Sequence, residues 1–242
     1  MLQADETPLQ ILDTQKGKAR NGYLWAYVST AGYRSVRLPS GASGEYAREM
    51  LAGWLGTLVV DGYSGYSALF REAGCLAHVR RKFMDLFKMN GSPGVREALE
   101  RTIRARPAEQ KRRWRQRYAK PRMAAFHAWL TTREKTSAPG GGLHGAVTYT
   151  LKRWSALETY LDDGRVPVDN TRCEQMMRPV ALGRKAWLFA GSLRGGERLA
   201  ELLTLLHTAG LNGLEPHAWL RDVLEKLPSR LEELLPYRRQ AD

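Results

Sequence analysis

The sequence predicts an α/β fold: a mixed sheet with flanking helices, interrupted by a block of helices. Three observations lead there. Strand-like stretches crowd the N-terminal third, strand signals nearly vanish from Ser92 to Asp163, and the remainder is helical again. The chain has 242 residues, 43% of them hydrophobic and 26% charged, within the ordinary range for a globular protein. The order of elements divides it into a first part of the core at 1–91, a helical insertion at 92–163 and a continuation of the core at 164–242.

Met1 to Leu12 reads as a strand interrupted by Pro8, which has no N–H for a ladder and belongs at an edge or bulge. Side chains alternate along a strand, so Asp5 and Glu6 cannot both line one site. Gly22–Ser29 and Tyr33–Leu38 are the next strands, and the short glycine-containing gaps predict an antiparallel meander. Ser43 to Trp54 follows as a helix, with Ser43 as N-cap and an apolar stripe of Tyr46, Ala47, Met50, Leu51 and Trp54. Thr57–Val60 has no polar alternation, which suits a strand buried on both faces. It stops at Asp61-Gly62. A lone carboxylate is expensive to bury, so Asp61 is expected at the strand's C-terminal end, either in a site or merely opening a turn. Gly74–Val79 reads as a further short strand running into a basic helix from Arg80 to Lys88.

Helical patterns then cover 94–104, 107–132 and 143–161, with a connector from Lys135 to Gly145. Val166–Val168 is extended. Asp169-Asn170-Thr171 opens a helix that carries Glu174 and is limited by Pro179. An apolar run from Lys185 to Ala190 stops at Gly191. Leu199, Leu202, Leu203 and Leu206 form a helical stripe ended by Gly210, and Leu220, Val223, Leu224 and Leu227 repeat that spacing.

Charge is the first functional pointer. The net charge is +13 and the pI near 10.0, which suits a polyanionic partner, nucleic acid ahead of membrane. Between Arg101 and Arg122 ten basic residues face one acid, Glu109. A solvated helix face usually mixes signs. This single-sign run, interleaved with Trp114 and Tyr118, predicts a phosphate-binding surface that includes Lys111, Arg112, Arg113, Arg115 and Arg117. No apolar run is long enough to span a bilayer, the N-terminus has no signal peptide, and Cys75 and Cys173 make no disulfide framework. A cytoplasmic location is expected. Cys75 and His78 have no second pair nearby, so zinc is not expected, and Cys75 is read as core.

The candidate acids are Asp5, Asp61 and one from Asp169–Glu174. Carboxylates gathered from different elements repel unless cations neutralise them, so such a cluster implies a hard divalent metal, Mg²⁺ or Mn²⁺. A pair of ions can activate an attacking oxygen and stabilise the leaving one in phosphoryl transfer.

Five segments carry a resemblance, in order and over nearly the whole chain. They are Ala4-Asp5-Glu6-Thr7-Pro8, Asp61-Gly62-Tyr63-Ser64-Gly65-Tyr66, the stretch from Gly74 to Phe83, Asp169-Asn170-Thr171-Arg172-Cys173-Glu174, and the stretch from Arg178 to Phe189. Together they resemble the insertion-sequence-66 family of bacterial DDE transposases. The resemblance implies an RNase H-like fold with a helical insertion between the second and third acids. It also implies metal-dependent DNA cleavage and strand transfer, with transposon ends and target DNA as partners in a nucleoid-associated setting, and it leaves room for a homo-oligomer. By position the triad is Asp5, Asp61 and Glu174, holding two Mg²⁺ or Mn²⁺ ions. Thr171 to Glu174 also fits a capping box, in which the glutamate would bond a backbone N–H instead. Arg80, Arg81 and Lys82, near His78, and Arg178, Arg184 and Lys185 after the third acid are the further expected DNA contacts.

Departures from the family pattern are specific. Met1 lies only four residues before Asp5, so the family's upstream DNA-binding and zinc-binding segments are expected to be missing and the first strand clipped. The insertion is expected to be shorter between Glu100 and Pro107. Gln175 stands where an arginine is usual and Thr171 where a second asparagine is usual. A decayed remnant that binds nucleic acid without cutting it is the alternative reading; a nuclease without strand transfer is a third.

Overall fold

The computed structural model describes residues 1–13, 16–29, 34–37, 49–63, 66, 71–87 and 108–227. In chain order the strands are β1 (Leu2–Asp13), β2 (Lys18–Ser29), β3 (Arg34–Arg37), β4 (Thr57–Val60) and β5 (Arg71–Gly74). The helices that follow are α1 (Leu76–Phe87), α2 (Ala108–Trp114), a π-helical turn at Arg115–Ala119, α3 (Lys120–Thr136), α4 (Gly142–Lys152) and α5 (Trp154–Asp162). The last three are α6 (Thr171–Trp187), α7 (Leu193–Leu211) and α8 (Pro216–Lys226). The expected helices at Ser43–Trp54 and 94–104 fall largely or wholly outside the described residues, as do Arg101, Arg104 and Arg106. Strand pairing is both antiparallel and parallel, so the α/β class with mixed pairing holds.

Two compact bodies divide the chain. One joins Leu2–Trp54 to Thr171–Asp242; the other joins Met1 to Leu55–Asn170.

In the first body, β1, β2 and β3 form the antiparallel meander. Residues directly opposite in such a ladder share a face. Leu9 and Ile11 of β1, and Leu24, Ala26 and Val28 of β2, therefore line one face. Against it pack Cys173, Met176, Met177 and Val180 of α6, at helical spacing, with Ala200 of α7. Pro8 interrupts nothing. Ala190 N–H donates to the Gln10 carbonyl (2.7 Å) and the Ala190 carbonyl accepts from Leu12 N–H (2.8 Å), so even-numbered residues here turn their backbone groups away from β2. Pro8 belongs to that set, and its missing N–H costs the β1–β2 ladder no bond. Pro179, expected to end a helix, instead lies inside α6, which continues to Trp187. Leu188 then takes a left-handed φ of 66°. Along α7 the buried positions are Gly196, Ala200, Thr208 and Ala209, while Leu202 of the expected stripe is exposed. Ser192 caps this helix, its Oγ accepting from Gly195 N–H at 3.0 Å.

In the second body, β4 and β5 pair in parallel, and all four residues of β4 are buried, as the unbroken apolar run requires. The strand expected at Gly74–Val79 is corrected. The strand is Arg71–Gly74, and Leu76 onward is helix, with Leu76, Val79 and Phe83 at helical spacing facing the core. A short apolar run is ambiguous between strand and helix, and here the three- and four-residue period decides. Leu157, Tyr160 and Leu161 of α5 complete that core with Met123 of α3. The stretch expected as one helix over 143–161 is two, broken at Arg153 (φ −113°, ψ 11°).

Candidate catalytic carboxylates and basic surface

In the first body, Asp5 sits opposite Ala26 in the β1–β2 ladder and so lies on the face that α6 covers. Glu6 points to the other face, opposite Trp25. Glu174 lies in the first turn of α6, beside the buried Cys173. The Cys173 thiol donates to the Ala26 carbonyl (3.1 Å) and lies 3.7 Å from the Gln3 carbonyl. That turn is therefore docked beside the Asp5–Ala26 pair. The helix begins at Thr171, so Asn170 occupies the N-cap place, and Glu174 lies one residue beyond the position of a capping-box glutamate.

In the second body, Asp61 stands at the end of β4, half-buried, as its strand predicts. Its Oδ1 accepts from Tyr63 N–H (3.0 Å), and its Oδ2 lies 3.9 Å from His78 Nε2. Asp61 thus both opens a turn and presents a carboxylate. Arg81 Nη1 donates to His78 Nε2 (3.2 Å), which requires the tautomer with the proton on Nδ1. Two residues that sequence reasoning missed complete the surroundings. Tyr149 of α4 donates its hydroxyl to the Asp61 backbone carbonyl (2.5 Å), and Arg153 packs over Gly62. Among the described residues, no three His, Cys, Asp or Glu side chains gather closely enough to form a ready metal cage. Carboxylate oxygens are the donors a hard cation takes. Asp5, Asp61 and Glu174 are all half-exposed carboxylates, whereas the thiols are buried. Burial pushes the Cys75 thiol up to about 11, in keeping with its reading as core.

The basic run divides into different environments. Arg112 and Arg113 are exposed, and both reach Glu109, at 2.8 and 3.3 Å. Arg112 foremost holds the Glu109 carboxyl below its ordinary range. Lys111 is half-buried; Arg117 is exposed over the Tyr118 ring, at 5.4 Å. Arg115, expected on the same surface, is a correction. It is only 3% exposed, and its Nη1 donates to the carbonyls of Tyr160 (2.8 Å), Asp163 (3.0 Å) and Val166 (3.0 Å). The π turn carries it inward, where it caps the end of α5. Arg184 is likewise engaged, with Nη1 donating to Thr7 Oγ1 (2.8 Å) and to the Pro8 carbonyl (2.7 Å). Arg80 is half-buried, while Arg81, Lys82, Arg178 and Lys185 are exposed.

The family model described as "Transposase IS66 family" matches residues 1–198, and that of the "IS66 C-terminal element" matches 204–237. The chain belongs to the IS66 transposase family. Three proteins of Sinorhizobium fredii (strain NBRC 101917 / NGR234), each called uncharacterized, are similar to it. Identity is 36% with y4jD, 34% with y4hP and 32% with y4qI, over 99%, 98% and 99% of this chain. These matches cover 53%, 50% and 51% of the relatives, so the chain spans about half their length. The alignment to y4jD runs over 273 positions; less the 242 residues here, at least 31 of its positions have no counterpart in this IS66 chain. No solved structure matches. Among the described residues, no helix is long and apolar enough to cross a membrane.

Proposed function

We propose that this chain carries the DNA-cleaving and strand-transferring chemistry of an IS66 transposase on an RNase H-like core. Asp5, Asp61 and Glu174 would be its catalytic carboxylates. The observation that carries the reading is the first turn of α6, fastened by Cys173 to Ala26, the ladder partner of Asp5. That fastening supports reading Asp5 and Glu174 as two of the catalytic acids, since α6 packs on the ladder face that carries Asp5. The antiparallel meander in one body and the parallel β4–β5 pair in the other support the reading.

Asp5, Asp61 and Glu174 would hold Mg²⁺ or Mn²⁺, as two ions in the full site. The bound metal supplies an activated oxygen nucleophile and stabilises the leaving oxygen. The chain's own residues do the rest. Arg81 and Lys82 on α1, with Arg178 and Lys185 on α6, are exposed cations on the elements that carry His78 and Glu174. They would hold the phosphodiester backbone. Arg112, Arg113 and Arg117 would extend that hold along the duplex, with Lys111 beside them. Arg184 instead braces Thr7 and Pro8 on the strand of Asp5.

Cleavage of a duplex carrying the element's ends, in Mn²⁺, tests the reading. The expected result is nicking by the wild type and none by Asp61→Asn, with DNA binding retained in both. Binding without cleavage by the wild type would favour the remnant. The 31 or more alignment positions without a counterpart here give that second reading its footing.

A further inference from the structure

The backbone at Asp61 and Gly62 is contacted by residues from outside their own motif. Tyr149 and Arg153 lie 88 and 92 residues later in the chain (149 or 153 less 61), at the end of α4 and the start of α5. The Tyr149 hydroxyl donates to the Asp61 carbonyl. The Tyr149 ring is held in turn by two cations, Lys82 Nζ at 5.1 Å and Arg153 Cζ at 5.2 Å from its centroid. Arg153 is anchored by Glu72 of β5 at 3.5 Å. Its guanidinium occupies the space a Cβ would need at Gly62, where φ is +99°.

The peptide that follows Asp61 is thus held at its carbonyl by Tyr149 and covered at Gly62 by Arg153. With Tyr63 N–H fixing Oδ1, little rotation is left to the aspartate. A carboxylate that must meet a cation gains from being held in one orientation before the cation arrives. We propose that Tyr149 and Arg153 are positioning residues for Asp61, through which the helices after β5 set the orientation of its carboxylate toward a divalent cation. This rests on the reading of Asp61 as a metal ligand.

The test titrates Mn²⁺ into the full chain without DNA, with bound metal followed by electron paramagnetic resonance. The variants are Tyr149→Phe, Arg153→Gln, Asp61→Asn and Gln116→Leu. Gln116 also ties one helical element to another, donating to the Leu161 carbonyl at 3.2 Å and to Asp162 Oδ1 at 2.8 Å, partners that hold neither Asp61 nor Arg153. Loss of one hydrogen bond predicts a Mn²⁺ dissociation constant raised about two- to tenfold in Tyr149→Phe. Arg153→Gln should move in the same direction and carries the test if Tyr149→Phe fails to fold. Gln116→Leu should bind Mn²⁺ as the wild type does, whatever its thermal midpoint. Unchanged binding in both Tyr149→Phe and Arg153→Gln, or an equal weakening in Gln116→Leu, overturns the positioning role while Asp61→Asn still reports the metal site. Wild-type binding that Asp61→Asn leaves unaltered overturns the metal reading itself, and this inference with it.

Discussion

Arg115 and Arg113 look alike in the sequence and should behave in opposite ways. Replacing Arg115 by methionine keeps much of its length and removes its donors. Three carbonyls share its Nη1, whose two hydrogens make at most two full bonds at once. A hydrogen bond from a charged donor is worth about 1.5–3 kcal/mol, so the loss has a ceiling of about 6 kcal/mol. The Asp163 carbonyl is only partly buried and regains water, which brings the expected cost to about 3 kcal/mol. For a chain of this length each kcal/mol shifts Tm by about 2–4 °C, so the midpoint should fall by about 6–12 °C. Arg113, with a side chain 77% exposed and its pair with Glu109 in solvent, should cost less than about 0.5 kcal/mol when changed to methionine. Thermal unfolding followed by circular dichroism measures both costs, and the salt dependence of duplex binding counts phosphate contacts. Arg113→Met should lower the log–log salt slope by up to about 0.9, and Arg115→Met should leave it unchanged below its midpoint. Equal midpoints for the two variants, or a flattened slope in Arg115→Met, would refute the division.

Gly62→Ala should destabilise the fold by about 1–3 kcal/mol, because its backbone is left-handed and its new Cβ meets Arg153. In an Arg153→Ala background the same change should cost less; additivity within about 0.5 kcal/mol, measured by urea unfolding, would contradict the close approach. Cys75 gives an alkaline dependence. The folded thiol titrates at about 11 against an ordinary 9.0, so the unfolded chain ionises first and stability falls as pH rises from 9.0 toward 11. Cys75→Ala should remove on the order of 2 kcal/mol of that fall, and superimposable curves for the two proteins would exclude it.

The elements that sequence reasoning placed best are those whose burial is one-sided or complete. Thr57–Val60 reads directly as β4, because four strand formers without alternation have few other uses. Pro8 and Pro179 misled in the same manner. Each was weighed by the bond it cannot make, but the cost depends on where that bond would have pointed. At Pro8 it would point away from β2, and α6 carries Pro179 in mid-course. The Cys75–Val79 run failed for another reason, since five apolar-rich residues fit a strand as well as one and a half helical turns.

The places of Asp5, Asp61 and Glu174 on their elements were legible and the contacts around Asp61 were not, and the difference is physical. Asp61 and Glu174 announce themselves by ending or opening elements, Asp5 lies within β1 and is marked only by its motif, and motif order adds weight to each. Tyr149 and Arg153 announce nothing, because what they recognise is the Asp61 carbonyl and the bare backbone of Gly62, which carry no side-chain signature. Gly62 is the one clue that could have been read. A glycine after a strand-end aspartate is usually credited to its turn, and φ of +99° supports that. The guanidinium lying over it gives the same residue a second reason, since any side chain there would displace Arg153 and loosen the Tyr149 ring it covers. Uniform charge misled in the complementary direction. A run of arginines reads as one surface, yet a single π turn sends Arg115 to cap α5 while Arg117, two residues on, stays in solvent. The number of cations the run could offer a phosphate backbone is therefore set by how the helix winds as well as by how many it contains.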